Sequence, residues 1–199
     1  MKKSLVISSS FTALLGVFVW FSFFQSKAIA NKPVPQNLYG QITPFKLPDV
    51  PLQTQHQDKS DWLTLSDKPL FITTGFTNCP HVCPMTMALY QQLKGSVGDK
   101  ANLALITIDP NNDTQEVLNE YLSRYGENFI GIRVDEQQHL DQILLSLKQS
   151  YTLSKHSEYL EHQSYIYLLH PKLEGLLVYT DSSPDPKQIS NDLETLGNL

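Results

Sequence analysis

Short apolar runs alternate with amphipathic stretches along most of this chain, and the alternation predicts its elements. Leu70-Phe71-Ile72-Thr73-Thr74-Gly75-Phe76 reads as a buried strand. A helix-like segment from Met85 to Lys94 follows it, opened by Pro84, whose missing N–H costs nothing at the first helical position. Asn102 to Asp109 is a second buried strand, and Asp109-Pro110-Asn111-Asn112-Asp113-Thr114 breaks it. Asp113, with Glu116 three residues on, resembles a capping box and predicts a helix from Thr114 to Tyr125 that Gly126 ends. Phe129 to Val134 is a third strand. Glu136 to Lys148 carries Leu140, Ile143, Leu144 and Leu147 at helical spacing. The polar stretch Ser150 to Gln163 reads as a loop. Strands at Ser164–Leu169 and Gly175–Tyr179 then flank a hairpin turn, and a last helix runs from about Pro186 to Leu196. Alternating β and α closed by a hairpin and a helix defines the α/β class.

The N-terminal third is different. Behind the basic head Lys2-Lys3, the chain is mostly apolar from Leu5 to Phe24, a run long enough to span a bilayer as a helix. Ala28-Ile29-Ala30 has the small-x-small form of a signal-peptidase site. Residues 1–30 therefore read as a signal peptide or an N-terminal membrane anchor. Either way the lysines stay on the cytoplasmic side and the remainder is exported. Residues 31–43 read as a proline-containing tether, with an edge strand expected around Pro44-Phe45-Lys46-Leu47, and residues 44–199 as one domain. Gln53 to Asp61 reads as a surface turn, and Trp62 to Leu65 as a short packing segment.

Charge removes one class of function. Residues 1–30 hold Lys2, Lys3 and Lys27 but no acid, so the exported part keeps 12 basic and 20 acidic residues. Such a domain has no electrostatic reason to bind nucleic acid.

Chemistry concentrates in Thr77-Asn78-Cys79-Pro80-His81-Val82-Cys83-Pro84, which holds the only two cysteines of the 199 residues. A disulfide between them would close too small a loop to stabilise the chain much, so the spacing argues for reactivity or metal binding. Cys83 is expected at or beside the helix N-cap, where free N–H groups and the helix dipole favour a thiolate. Two thiolates and one imidazole with a vacant position suit copper better than zinc, which prefers four ligands in a closed site. Composition alone leaves the imidazole open among His56, His81, His139, His156, His162 and His170. Met85 and Met87 follow the motif. Core packing is the simpler role for Met87, although helical geometry sets it beside Cys83. For Asp109 and Asp113, turning the loop and capping the helix is the simpler role.

The segment Gly75-Phe76-Thr77-Asn78-Cys79-Pro80-His81-Val82-Cys83-Pro84 resembles the signature of the SCO/SenC family, exported copper-binding assembly proteins of cytochrome c oxidase. Ile108 to Thr114, Phe129-Ile130-Gly131 and Tyr159 to Leu168 resemble its other motifs, in the right order over roughly residues 40–180. The resemblance implies a thioredoxin-like fold with a central mixed sheet flanked by helices. It implies a copper site of Cys79, Cys83 and His162 that holds Cu(I) or Cu(II). The implied partner is the copper-bearing subunit of cytochrome c oxidase, with other copper chaperones or thioredoxin-like reductants as further ones. Implied too is a place at the periplasmic face of the inner membrane, or in the soluble periplasm once the signal is cleaved. His81 stands where the family usually has aspartate, Glu161 replaces an aspartate, Asn112 replaces an arginine and Gln163 a serine.

Two functions follow from the same residues. In the first the chain is a metallochaperone without turnover. In the second Cys79 and Cys83 are the attacking and resolving thiols of a thiol–disulfide oxidoreductase that reduces the oxidase's copper-site cysteines, or of a redox sensor. The three-residue gap, and the absence of a proline in His162-Gln163-Ser164-Tyr165 before the facing strand, favour the first.

Overall fold

The computed structural model describes residues 35–65, 67–79, 82–126, 129–149, 151–153, 160–162 and 165–198, all within the unit Pro35–Leu199. The apolar run read as an export signal or anchor lies outside the described residues. Among the described residues, no helix is long and apolar enough to cross a membrane.

Ten strands and five helices are named here in chain order. They are β1 (Gln41–Thr43), β2 (Leu52–Thr54), β3 (Gln57–Ser60), α1 (Trp62–Leu65), β4 (Leu70–Gly75), α2 (Val82–Val97), β5 (Asn102–Thr107) and α3 (Gln115–Ser123). Then come β6 (Phe129–Arg133), α4 (Gln137–Ser146), β7 (Tyr151–Leu153), β8 (Leu160–His162), β9 (Ile166–Leu169), β10 (Leu176–Tyr179) and α5 (Pro186–Gly197). Eight strands form one sheet in the order β1-β10-β9-β4-β5-β6-β2-β3, and β7 pairs with β8 apart from it. The pairs β4–β5 and β5–β6 are parallel, and the remaining pairs are antiparallel. The mixed sheet expected from sequence is what forms.

Strand periodicity divides the core. Leu70 and Ile72 of β4, with Ala104 and Ile106 of β5, pack with Leu140, Ile143, Leu144 and Leu147 of the α4 segment. Phe71, Leu103 and Leu105 enter the opposite cluster, with Met87, Tyr90 and Leu93 of α2, Tyr121 and Leu122 of α3, and Ile189 and Leu193 of α5. Every residue of β4 is buried. Its apolar-and-threonine sequence suits a strand covered on both faces.

Three local expectations are corrected. The edge strand forms at Gln41–Thr43, just before Pro44. The β1–β10 edge leaves no room there, since a Cβ on Gly175 would lie 1.9 Å from the Thr43 carbonyl oxygen. The polar stretch after Leu52 is the hairpin β2–β3, in which Leu52 and Thr54 point inward and Gln53 does not. Helix α3 is capped by Thr114, whose hydroxyl accepts the Val117 N–H at 3.3 Å, and not by Asp113. At the other end of the chain Asp192 of α5, only 3% exposed, accepts the N–H groups of Tyr39 and Gly40 at 2.9 Å each.

The β9–β10 turn holds His170, 4% exposed, whose Nδ1 accepts the Lys172 N–H at 3.1 Å. Burial, reinforced by the charge of Lys172, lowers its pKa below the ordinary imidazole value. As pH falls through that ordinary value the unfolded chain takes up a proton that the folded domain resists, so stability drops. Thermal unfolding should therefore show a steeper loss between pH 7 and 5 in the parent than in His170→Asn, whose amide oxygen can accept the same N–H. Equal slopes would remove His170 as a cause.

Candidate metal centre

The site is built at the C-terminal end of β4. After Gly75 the chain turns through Phe76, Thr77 and Asn78, and the Cys79 N–H bonds back to the Phe76 carbonyl at 3.3 Å. Helix α2 starts at Val82, so Pro84 is its third residue, still within the first turn where no intrahelical N–H is required. The Cys83 N–H instead meets the Cys79 sulphur at 3.4 Å. The sulphur that accepts a free first-turn N–H is thus the one in the loop, and Cys83 is inside the helix. No disulfide joins the two cysteines in this structure.

Their surroundings differ. Cys79 is half-buried and packs against the α4-side core. Cys83 is 2% exposed. The expectation of a dipole-favoured thiolate at Cys83 is corrected, because burial dominates and drives its thiol pKa far above the ordinary range. The Phe76 backbone opposes this, while Cys79 and the Asp113 charge add to it. Its sulphur fits only because Gly75 has no side chain: a Cβ there would lie 2.8 Å from Cys83 Sγ and 3.1 Å from Leu105 Cδ1.

Asp113 holds the loop from the side. It is 0% exposed, and it accepts the Thr77 N–H at 3.1 Å and the Thr77 and Thr107 hydroxyls at 2.5 Å each. Burial raises its pKa, and the two threonines pull it partly back. The cysteine loop is thereby tied to the end of β5. Sequence reading missed this role, since Asp113 and Thr77 lie 36 residues apart with no local signature. Asp109 does turn the loop, its carbonyl accepting the N–H groups of Asn112 and Asp113.

The candidate imidazoles separate by position. His162 is the last residue of β8, and its backbone pairs with Tyr151 of β7, so the stretch read as a loop contains a hairpin. His56 is exposed in the β2–β3 turn, where its N–H reaches the Thr54 hydroxyl at 3.3 Å. His139 has Nδ1 3.5 Å from a Glu136 carboxylate oxygen on α4, and His170 belongs to the β9–β10 turn. His81 and His156 lie outside the described residues. Among the described side chains, no three of His, Cys, Asp or Glu gather as a metal site. Met87 is core at 1% exposure, whereas Met85 is 73% exposed beside the helix mouth.

A sulphur pair at the tip of a central strand, at the mouth of the following helix, on a mixed sheet covered by helices, defines a thioredoxin-like domain. Within that class the SCO1/SenC family model matches residues 43–198, and the chain belongs to this family. A SCO2-like protein of Rickettsia felis is 32% identical over 120 residues, 55% of this chain and 58% of the relative. The chain spans 47% to 58% of the length of the first curated relatives it matches. Among solved structures, a SCO1/SenC family lipoprotein from Bacillus anthracis aligns with a TM-score of 0.71 at 17% identity, over 80% of this chain and 99% of that one. Arabidopsis thaliana ScoI, crystallised with copper bound, aligns with a TM-score of 0.65 at 19% identity, over 76% and 98%.

Gly75→Ala tests the packing. The added methyl should destabilise the domain by about 1–3 kcal/mol, the usual range for overpacking, and push the Cys83 sulphur away from β4. Chemical denaturation and thiol-labelling rates of Cys83 read the two effects. Unchanged stability with Cys83 still protected would refute the close fit.

Proposed function

We propose that this chain is an exported copper-delivery protein. Cys79, Cys83 and His162 grip one copper ion as cargo and pass it to the copper-bearing subunit of cytochrome c oxidase. The observation that carries the reading is the meeting of Cys79 Sγ with the Cys83 N–H at the mouth of α2, which sets two soft donors at one place. The donor chemistry fits Cu(I) on the sulphurs, and an imidazole from the β7–β8 hairpin extends the set to Cu(II). A fourth position left open gives the receiving protein a point of attack. Residues 1–30 direct the domain across the inner membrane, as a cleaved signal or as an anchor on its periplasmic face. The relatives agree in kind: copper is bound in the Arabidopsis structure, and BsSco is a member of the Sco family of cytochrome c oxidase assembly proteins.

The unequal burial of the two thiols supports a second role for the same pair. The more accessible Cys79 would attack a disulfide in a target, and the buried Cys83 would resolve the mixed disulfide by displacing the target's thiol. The two roles separate by mutation. Cys79→Ser and Cys83→Ser should each abolish tight Cu(I) binding, whereas His162→Ala should weaken Cu(II) binding by orders of magnitude and leave disulfide exchange intact. Competition titrations with each oxidation state, beside a disulfide-reduction assay, give the answer. Parent-like Cu(II) affinity in His162→Ala would falsify the ligand assignment.

A further inference from the structure

Between α4 and β9 the chain leaves the main sheet, runs out along β7, and returns along β8 with His162 at its foot. Two consecutive threonines of β4 hold both feet. On the outgoing side α4 ends in a reverse turn in which the Lys148 N–H bonds to the Leu145 carbonyl at 3.0 Å and the Gln149 N–H to the Leu144 carbonyl at 2.8 Å. That closure uses a left-handed residue, and here it is Lys148 at φ 55° in place of the customary glycine. Gln149 is thereby turned inward, 7% exposed, and its Oε1 accepts the Thr74 hydroxyl. Its amide also meets the hydroxyl of Tyr167 on β9. Just before Gln149, the Leu147 carbonyl accepts the Tyr167 hydroxyl of β9 at 2.8 Å. On the returning side the Tyr165 carbonyl accepts the Thr73 hydroxyl at 3.0 Å.

The spacing makes these bonds consequential. His162, three residues before Tyr165, pairs with Tyr151, two residues beyond Gln149. Even a fully extended chain carries the His162 backbone no more than about 10 Å from the Tyr165 anchor. Cys79 begins from the same place, because Gly75 directly follows Thr74 and the Cys79 N–H returns to Phe76.

We propose that Thr73, Thr74 and Gln149 are positioning residues for the copper site: they peg the two feet of the β7–β8 hairpin to the strand that delivers the cysteines, and so set where its imidazole arrives. The inference rests on the copper reading and adds to it the residues that register the third ligand. Groups that orient metal ligands in this indirect way typically change metal affinity about 10–100-fold when removed. The effect falls on the oxidation state that needs the imidazole. Cu(I) held by two sulphurs is spared.

The full chain with Thr73→Val and Thr74→Val, which keep the branched shape and lose the hydroxyls, tests this against the parent. The expected result is Cu(II) affinity lower by about 10–100-fold and a shifted sulphur-to-copper charge-transfer band, with Cu(I) affinity within twofold of the parent. Thr73→Ser with Thr74→Ser should restore both Cu(II) readouts. Gln149→Met, which leaves β4 intact, should reproduce the loss if the double variant folds poorly, and the spectrum is read only on copper-loaded, folded protein. A parent that binds neither oxidation state overturns the copper reading itself. A parent that binds both, beside valine and Gln149→Met variants with its own Cu(II) affinity and band, leaves that reading standing and overturns the pegs.

Discussion

Strand β4 is paired on both edges and covered on both faces, and the candidate centre hangs from its last three residues. Thr73 and Thr74 direct hydroxyls to Tyr165 and Gln149, and Gly75 yields its side-chain space to Cys83. A strand buried at every position has little freedom to shift. Its pairing with β9 and β5 therefore fixes the origin from which the cysteine loop and the hairpin both depart. Loops carry the reactive groups, but the strand sets where those loops begin.

The two sulphurs answer to different forces. A helix mouth offers unpartnered N–H groups, and one of these goes to Cys79, while Cys83 is drawn into apolar surroundings beside Gly75 and Leu105. Burial outweighs the favourable end of the helix for Cys83, so its thiol keeps its proton in the metal-free domain. If Cys83 ligates a cation, as proposed, metal binding would couple to release of that proton. One donor stays reachable while the other waits behind it, an order that suits both accepting an ion from outside and resolving a mixed disulfide.

Much of this was legible in the sequence where the signal was periodic and local. The β4–α2–β5 unit, helix α4 with Leu140, Ile143, Leu144 and Leu147, and the β9–β10 hairpin all follow from spacing. Cys79 and Cys83 were marked by their rarity. The polar hairpins β2–β3 and β7–β8 passed as loops because strands this short, with so few apolar residues, give no period to read. Asp113 looked like a cap because its spacing to Glu116 is the capping pattern. Thr114, one residue on, has a hydroxyl that takes the cap, which frees Asp113 to bind Thr77. Thr73 and Thr74 read only as strand formers, since their partners lie 92 and 75 residues away.

That last separation bears on how such a site can hold and release a soft ion. The cysteines lie on one continuous segment and keep their mutual geometry as long as the β4–α2 unit is folded. The proposed imidazole, His162, belongs to a hairpin of a different sheet, and among the described residues Thr73 and Thr74 of β4 hydrogen-bond to Tyr165 and Gln149 on either side of it. Each such bond contributes on the order of 1 kcal/mol net, far less than the packing that holds β4 in place. If His162 is the third ligand, as proposed, it would be the one the fold gives up first. A copper centre built as proposed would keep its sulphur pair as a constant platform for Cu(I) and treat the imidazole as the adjustable member. On that proposal the distinction between tight holding and release would lie in the hairpin's attachment and not in the cysteines.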